Sequence, residues 1–310
     1  MRTEQMIKVY PSYYQQFHCL AGACRHTCCV GWEIDIDPRA LRRYLKMPGA
    51  LGERLRRNID CEEFPPHFRM EEGERCPFLN GEGLCDIILE KGEGALCQIC
   101  ADHPRFYNQL EGYEQIGLGL CCEAACRLIL SQKEPVRFSL LDDGRKKTPL
   151  RKGDEAILQY LDWLIHQAQD RSCCMAERIE AVMDGLYLPP YTPKQWADVF
   201  LSLERMDSAW TERLLRLREK KAFPALDEVM LEQLLVYFLY RHMVPCWKCG
   251  KPLLAPLFAV LSVKMIAWTS ESDEDLYEAA RLYSAEIEYS DENVPALLDV
   301  LAAAQEEETT

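Results

Sequence analysis

The sequence predicts a mainly α protein in two parts: a cysteine-rich, loop-heavy, metal-binding first half packed on an all-helical second half. Three observations predict it. Twelve of the 16 cysteines lie between Cys19 and Cys126. Beyond the charged stretch Asp142–Gly153, apolar residues recur at the i, i+3, i+4 and i+7 positions of buried helix faces. No strand–helix alternation and no G-x-G-x-x-G motif is present, which argues against a Rossmann-type domain. The expected domains are residues 1–141 and 154–310, with the charged stretch as linker.

The chain in order supports this division. Met6–Tyr10 reads as a short strand or extended arm, and Glu33–Pro38 as a short extended piece. Asp37 is placed as a helix N-cap with Pro38 at the first helical position. Residues 48–75, charged and rich in Gly and Pro, read as irregular. Asn80-Gly81 is a turn signal, and a hairpin there brings Cys76 and Cys85 together. A helix is expected to start near Cys122. In the second half, helices are read at Ile157–Ala168, from Thr192-Pro193, at Leu231–Leu239 and at Pro252–Trp268. A further helix starts at Ser272 with Asp275 three residues on, and the last opens at Asn293.

Composition removes several function classes. With 36 basic and 50 acidic residues the formal net charge is −14, and no basic stripe is visible, so nucleic acid is not an expected partner. No window of about 18 apolar residues is present, so no membrane span is expected. The first ten residues lack the apolar core of a secretory signal, and a cytoplasmic location is expected.

In that compartment thiols stay reduced, so clustered cysteines point to metal binding rather than disulfides. Cys19, Cys24, Cys28 and Cys29 fall within eleven residues. Cys76, Cys85, Cys97, Cys100 and Cys122 complete nine candidate ligands. Thiolate is a soft anionic ligand suited to iron–sulfur clusters and to zinc, and the spacing does not choose between them. Nine thiols suffice for one four-iron cluster with spares or for two metal sites. Cys61, Cys173-Cys174 and the lone C-x2-C at Cys246 and Cys249 are read as incidental.

The cysteine motifs, with Gly31-Trp32, Cys76-Pro77-Phe78-Leu79, Leu84-Cys85-Asp86-Ile87 and Pro104-Arg105-Phe106, resemble the flagellin lysine-N-methylase (FliB) family. The first part is also similar to YkgJ-type zinc- or iron-chelating domains. Tyr237–His242, Ala259–Ser262 and Tyr283–Asn293 resemble the family's helical half. Arg25-His26 and Ala101 depart from the family pattern, and Cys121, Cys126 and the Cys246/Cys249 pair look like additions.

The resemblance implies a lysine N-methyltransferase. It would use S-adenosylmethionine, contain a 4Fe-4S cluster, and act on flagellin or another lysine-bearing protein. Methyl transfer needs a sulfonium and a neutral amine aligned away from water. Tyr240, Glu286 and Glu288 are the catalytic candidates, and Trp32 and Arg105 the candidates for holding the methyl donor. Each also has a plainer reading, as core packing, a salt bridge or a solvated helix face. The reading from another class is a non-enzymatic iron–sulfur or zinc sensing module whose helical half binds a partner.

Overall fold

A computed structural model describes residues 6–141 and 148–308. The chain opens with strand β1, Ile7–Pro11. Helix α1, Pro38–Lys46, follows, capped as expected: the Asp37 carboxylate accepts the N–H groups of Arg39 and Ala40 at 3.0 and 2.9 Å. Residues 48–75 are more regular than their composition suggests. They hold helix α2, Gly49–Arg57, and a two-stranded ribbon of β2, Ile59–Asp60, and β3, His67–Phe68. Leu51 and Leu55, one turn apart, bury the inner face of α2. The surrounding glycines and arginines hid that short stripe.

The Asn80-Gly81 turn forms. The Asn80 amide oxygen accepts the N–H groups of Glu82 and Leu84 at 2.9 and 3.0 Å. It closes only a single antiparallel bridge, Leu79 to Cys85, rather than a full hairpin. The chain then enters helix α3, Asp86–Lys91, and helix α4, Gln98–Asp102.

Strands β4, Arg105–Leu110, and β5, Tyr113–Leu118, follow. Gly112 turns between them at φ +77°, where a side chain would meet the Thr148 carbonyl oxygen at 2.9 Å. Helix α5, Glu123–Leu130, starts beside Cys122 as expected, and β6, Phe138–Leu141, completes a sheet ordered β4-β5-β1-β6. In it β1 runs parallel to β5 and antiparallel to β6. The sequence reading found only β1. Strand β5 is buried along its whole length, including Glu114 and Gln115, so it shows no alternation.

Beyond residue 148 every regular element described is helical. These are α6, Lys152–Ala168; α7, Met175–Val182; α8, Pro193–Leu201; α9, Ser208–Glu219; α10, Glu228–Lys248; α11, Leu254–Thr269; α12, Asp273–Tyr283; and α13, Asn293–Glu308. One π-helical turn, Ser284–Glu288, prolongs α12. Thr192 and Gln195 form a reciprocal capping box at α8. Helix α11 is buried on nearly all sides, as its apolar run requires. The protein is mainly α, with a small sheet.

Two compact units emerge. The thiol-bearing unit comprises 18–106 and 122–124; the helical unit comprises the described residues up to Phe17, 107–121 and 125–308. Most of the sheet therefore belongs with the helices, because β1 must pair with β5 and β6 across more than a hundred residues of chain. Of the expected linker, residues 142–147 lie outside the described residues. The thiol-bearing unit has its own core, in which Ile34, Tyr44, Leu55, Phe68 and Phe78 are fully buried. Among the described residues no helix is long and apolar enough to cross a membrane.

Candidate functional site

All sixteen cysteines are free thiols. The nine candidate ligands all lie in the thiol-bearing unit, where they form two neighbourhoods. The first contains Cys19, Cys24, Cys28 and Cys122. The Cys28 thiol is pushed up by its hydrogen bond to Cys29 and by burial, with Cys19 and Cys122 adding to the shift. The Cys24 thiol lies 3.9 Å from the Glu123 carboxylate. Arg25 holds that carboxylate with its backbone N–H at 3.0 Å and its Nε–H at 2.9 Å. Burial opposes ionisation of Glu123, but these Arg25 contacts keep its carboxyl below the usual range.

The second neighbourhood contains Cys29, Cys76, Cys85, Cys97 and Cys100. The Cys76 N–H donates to the Cys29 carbonyl at 2.8 Å, which joins the two distant segments. Burial pushes the Cys76 thiol up to about 12, with Cys29, Cys85 and Cys97 adding to the shift. Cys97 occupies the N-cap position of α4 without a side-chain capping bond, and Cys100 lies in its first turn. Their hydrogen bond pushes Cys97 down and Cys100 up. Cys29 is brought down to about 7 by its hydrogen bond with Cys28, assisted by Thr27 and the Arg75 charge, against the effect of burial. Two pairs, Cys28/Cys29 and Cys97/Cys100, are thus each joined by a thiol–thiol hydrogen bond.

The donor chemistry suits a soft metal or a cluster. The side chains as placed do not form a closed cage. Among the described residues, no three His, Cys, Asp or Glu side chains converge closely enough to hold a metal ion.

Trp32 lies within the same unit. Its indole N–H donates to the Cys28 carbonyl at 2.6 Å, and its ring centroid is 6.0 Å from that of His103. Burial, with the nearby Arg105 charge, pushes His103 down to about 4, so the imidazole is neutral at physiological pH. Arg105 reaches the Ala101 carbonyl at 3.5 Å. His103 was not singled out in the sequence. Only its position between Cys100 and Arg105 could have drawn attention to it.

The other candidates lie in the helical unit. The Tyr240 hydroxyl donates to the Val9 carbonyl at 2.9 Å, and its ring stacks on Phe138. Glu286 accepts the N–H groups of Met206 and Asp207 at 2.8 and 2.9 Å, clamping the approach to α9. The Glu288 side chain is fully buried. It receives Arg241 Nε at 3.0 Å, His242 Nε2 at 2.7 Å and the Tyr237 hydroxyl at 2.9 Å. Burial opposes its charge, but Arg241 and His242 hold its carboxyl below the usual range. The two carboxylates therefore serve separate networks.

The chain is 25% identical over 139 residues to a protein of Salmonella typhimurium named "Lysine-N-methylase". The chain is similar to curated lysine-N-methylases. A second protein of that name, from Salmonella choleraesuis, matches to the same extent. In both cases the match covers 42% of this chain and 34% of the relative, so it spans about a third of the lysine-N-methylases' length. A "Flagellar biosynthetic protein FliU" of Salmonella muenchen is 25% identical over 148 residues, covering 44% of this chain and 82% of that protein. No protein-family model matches the chain, and no solved structure does.

Proposed function

We propose that this chain is a protein lysine N-methyltransferase acting on flagellin or another lysine-bearing protein. The observation that carries the reading is the similarity to proteins curated as lysine-N-methylases. The FliU similarity supports a flagellar setting for the substrate. The net charge of −14 adds an electrostatic attraction for lysine-bearing proteins.

In such a reaction the neutral lysine amine attacks the methyl carbon of S-adenosylmethionine. The carbon–sulfur bond breaks, S-adenosylhomocysteine leaves, and the new ammonium releases its extra proton. A lysine amine has an ordinary pKa near 10.4, so the site must favour the neutral form. The thiols of Cys19, Cys24, Cys28 and Cys122, and of Cys29, Cys76, Cys85, Cys97 and Cys100, are proposed to hold a metal centre, with a 4Fe-4S cluster ahead of zinc. Donor softness and the gathering of all nine thiols in one compact unit support this.

The test is purification of the full chain under strict anaerobiosis, with iron, sulfide and zinc analysis. A binding titration with S-adenosylmethionine and a methyl-transfer assay on flagellin follow. Iron with sulfide, donor binding and methylated lysine are expected. Stoichiometric zinc without iron would replace the cluster. Metal without donor binding would favour the sensing module over the enzyme.

A further inference from the structure

We infer that the loop joining β2 to β3 is a docking finger for lysine-bearing extended segments of a partner protein. This rests on the lysine-methyltransferase reading for which lysines matter, but not for the binding itself. Apolar side chains scattered on a surface are ordinary. Phe64 stands apart because it is 96% exposed, whereas the next most exposed large apolar side chain among the described residues, Met206, is 61% exposed.

The finger is firm at its base and open at its tip. Ile59 pairs with Phe68 and Asp60 with His67. The Pro66 carbonyl accepts the Ile36 N–H at 2.7 Å, and Phe68 N–H donates to the Ile34 carbonyl at 3.1 Å. Ile34, Ile36, Ile59 and Phe68 are buried beneath it. Asp60 is occupied by Arg69 at 3.1 Å and by the Glu62 N–H at 2.9 Å. At the tip, Glu62 and Glu63 are exposed, and neither forms an ion pair with a described residue. The tip therefore offers one aromatic face and two carboxylates on an anchored support.

That combination fits lysine. The methylene stem packs on an aromatic ring, the ammonium is drawn to the ring face, and a carboxylate pairs with it. An acidic segment would be repelled, and a purely apolar one would leave both carboxylates to be desolvated without a partner. A net charge of −14 gives the encounter the same sign preference.

The test uses the full chain and a fluorescein-labelled peptide of alternating lysine and alanine, followed by anisotropy. A peptide with glutamate for lysine is the control. The parent is expected to bind the lysine peptide and not the control. Phe64→Ala should weaken binding about tenfold. The double variant Glu62→Gln, Glu63→Gln should weaken it about three- to fivefold and flatten its salt dependence. Both changes lie at an exposed tip, and unchanged thermal melting shows that folding is intact. Failure of the parent to bind, or variants that bind as the parent does, overturns the inference. A methyl-transfer assay separates the two proposals. Transfer to flagellin with an unchanged KM in Phe64→Ala would remove the finger and keep the enzyme. Lysine-peptide binding through Phe64 without any transfer would do the reverse.

Discussion

In the helical unit, buried charges find their partners inside the protein. Glu288 is met by Arg241, His242 and Tyr237, and the fully buried Glu232 by Arg171 and Arg178 at 2.8–2.9 Å. In the thiol-bearing unit, buried thiols lie beside other thiols. Cys28 is hydrogen-bonded to Cys29, and Cys97 to Cys100, while burial raises the Cys24, Cys76 and Cys85 thiols. The first arrangement pairs carboxylate with guanidinium. The second leaves protons that a bound cation would displace. The helical unit thus pairs these buried charges internally, whereas the thiol-bearing unit concentrates titratable thiols.

The contrast breaks first at Glu288. Glu288→Gln leaves Arg241 without its buried counter-charge and should cost about 3–5 kcal/mol, read from chemical denaturation. Glu274→Gln, which removes only the exposed pair with Arg127, should cost less than about 1 kcal/mol. Equal effects would mean that burial of the charge network does not matter.

A pH titration sharpens the other side. His103 is neutral in the folded protein down to about pH 4, whereas the unfolded chain protonates near 6.5. Between these values the unfolded state binds more protons, so stability is fully present above pH 6.5 and is lost as pH falls toward 4. The loss should be on the order of 1–3 kcal/mol. His103→Gln should flatten the profile in that window; an unchanged slope would remove His103 as its source.

Much of this was readable in advance, and the failures have physical causes. Asp37-Pro38, Thr192-Pro193 and Ser272 announce helix starts because the capping side chain sits beside its targets in sequence. The stripe of α10 announces itself through period, and α11 through an almost unbroken apolar run. The sheet did not, because the β1–β5 pairing joins residues far apart in the chain and β5 carries buried Glu114 and Gln115. The nine thiols were legible as candidates from density alone, but their division into two neighbourhoods depends on contacts such as Cys76 to Cys29. The networks around Glu286 and Glu288 were not legible either, since spacing does not reveal that one clamps a loop and the other balances Arg241.

A smaller effect is expected at Asp37, which also accepts the Gln98 N–H at 2.8 Å and so caps both α1 and α4. Asp37→Ala should cost about 1–2 kcal/mol in a thermal or denaturant melt. A cost near zero would mean that water replaces both caps.

The smallest effect on stability, but a sharp one on reactivity, is expected at Cys29. In metal-free protein its alkylation rate by iodoacetamide should rise with a midpoint near pH 7, and Cys29→Ser should abolish that phase. A midpoint at the ordinary thiol value would contradict the stabilising hydrogen bond from Cys28.

The most direct test of the central claim is transfer of an isotopically labelled methyl group from S-adenosylmethionine to flagellin, with mass spectrometry of the flagellin lysines. Label is expected on lysine side chains with the anaerobically prepared chain, and none without it. Unlabelled lysines, with the chain folded and the donor present in excess, would contradict it.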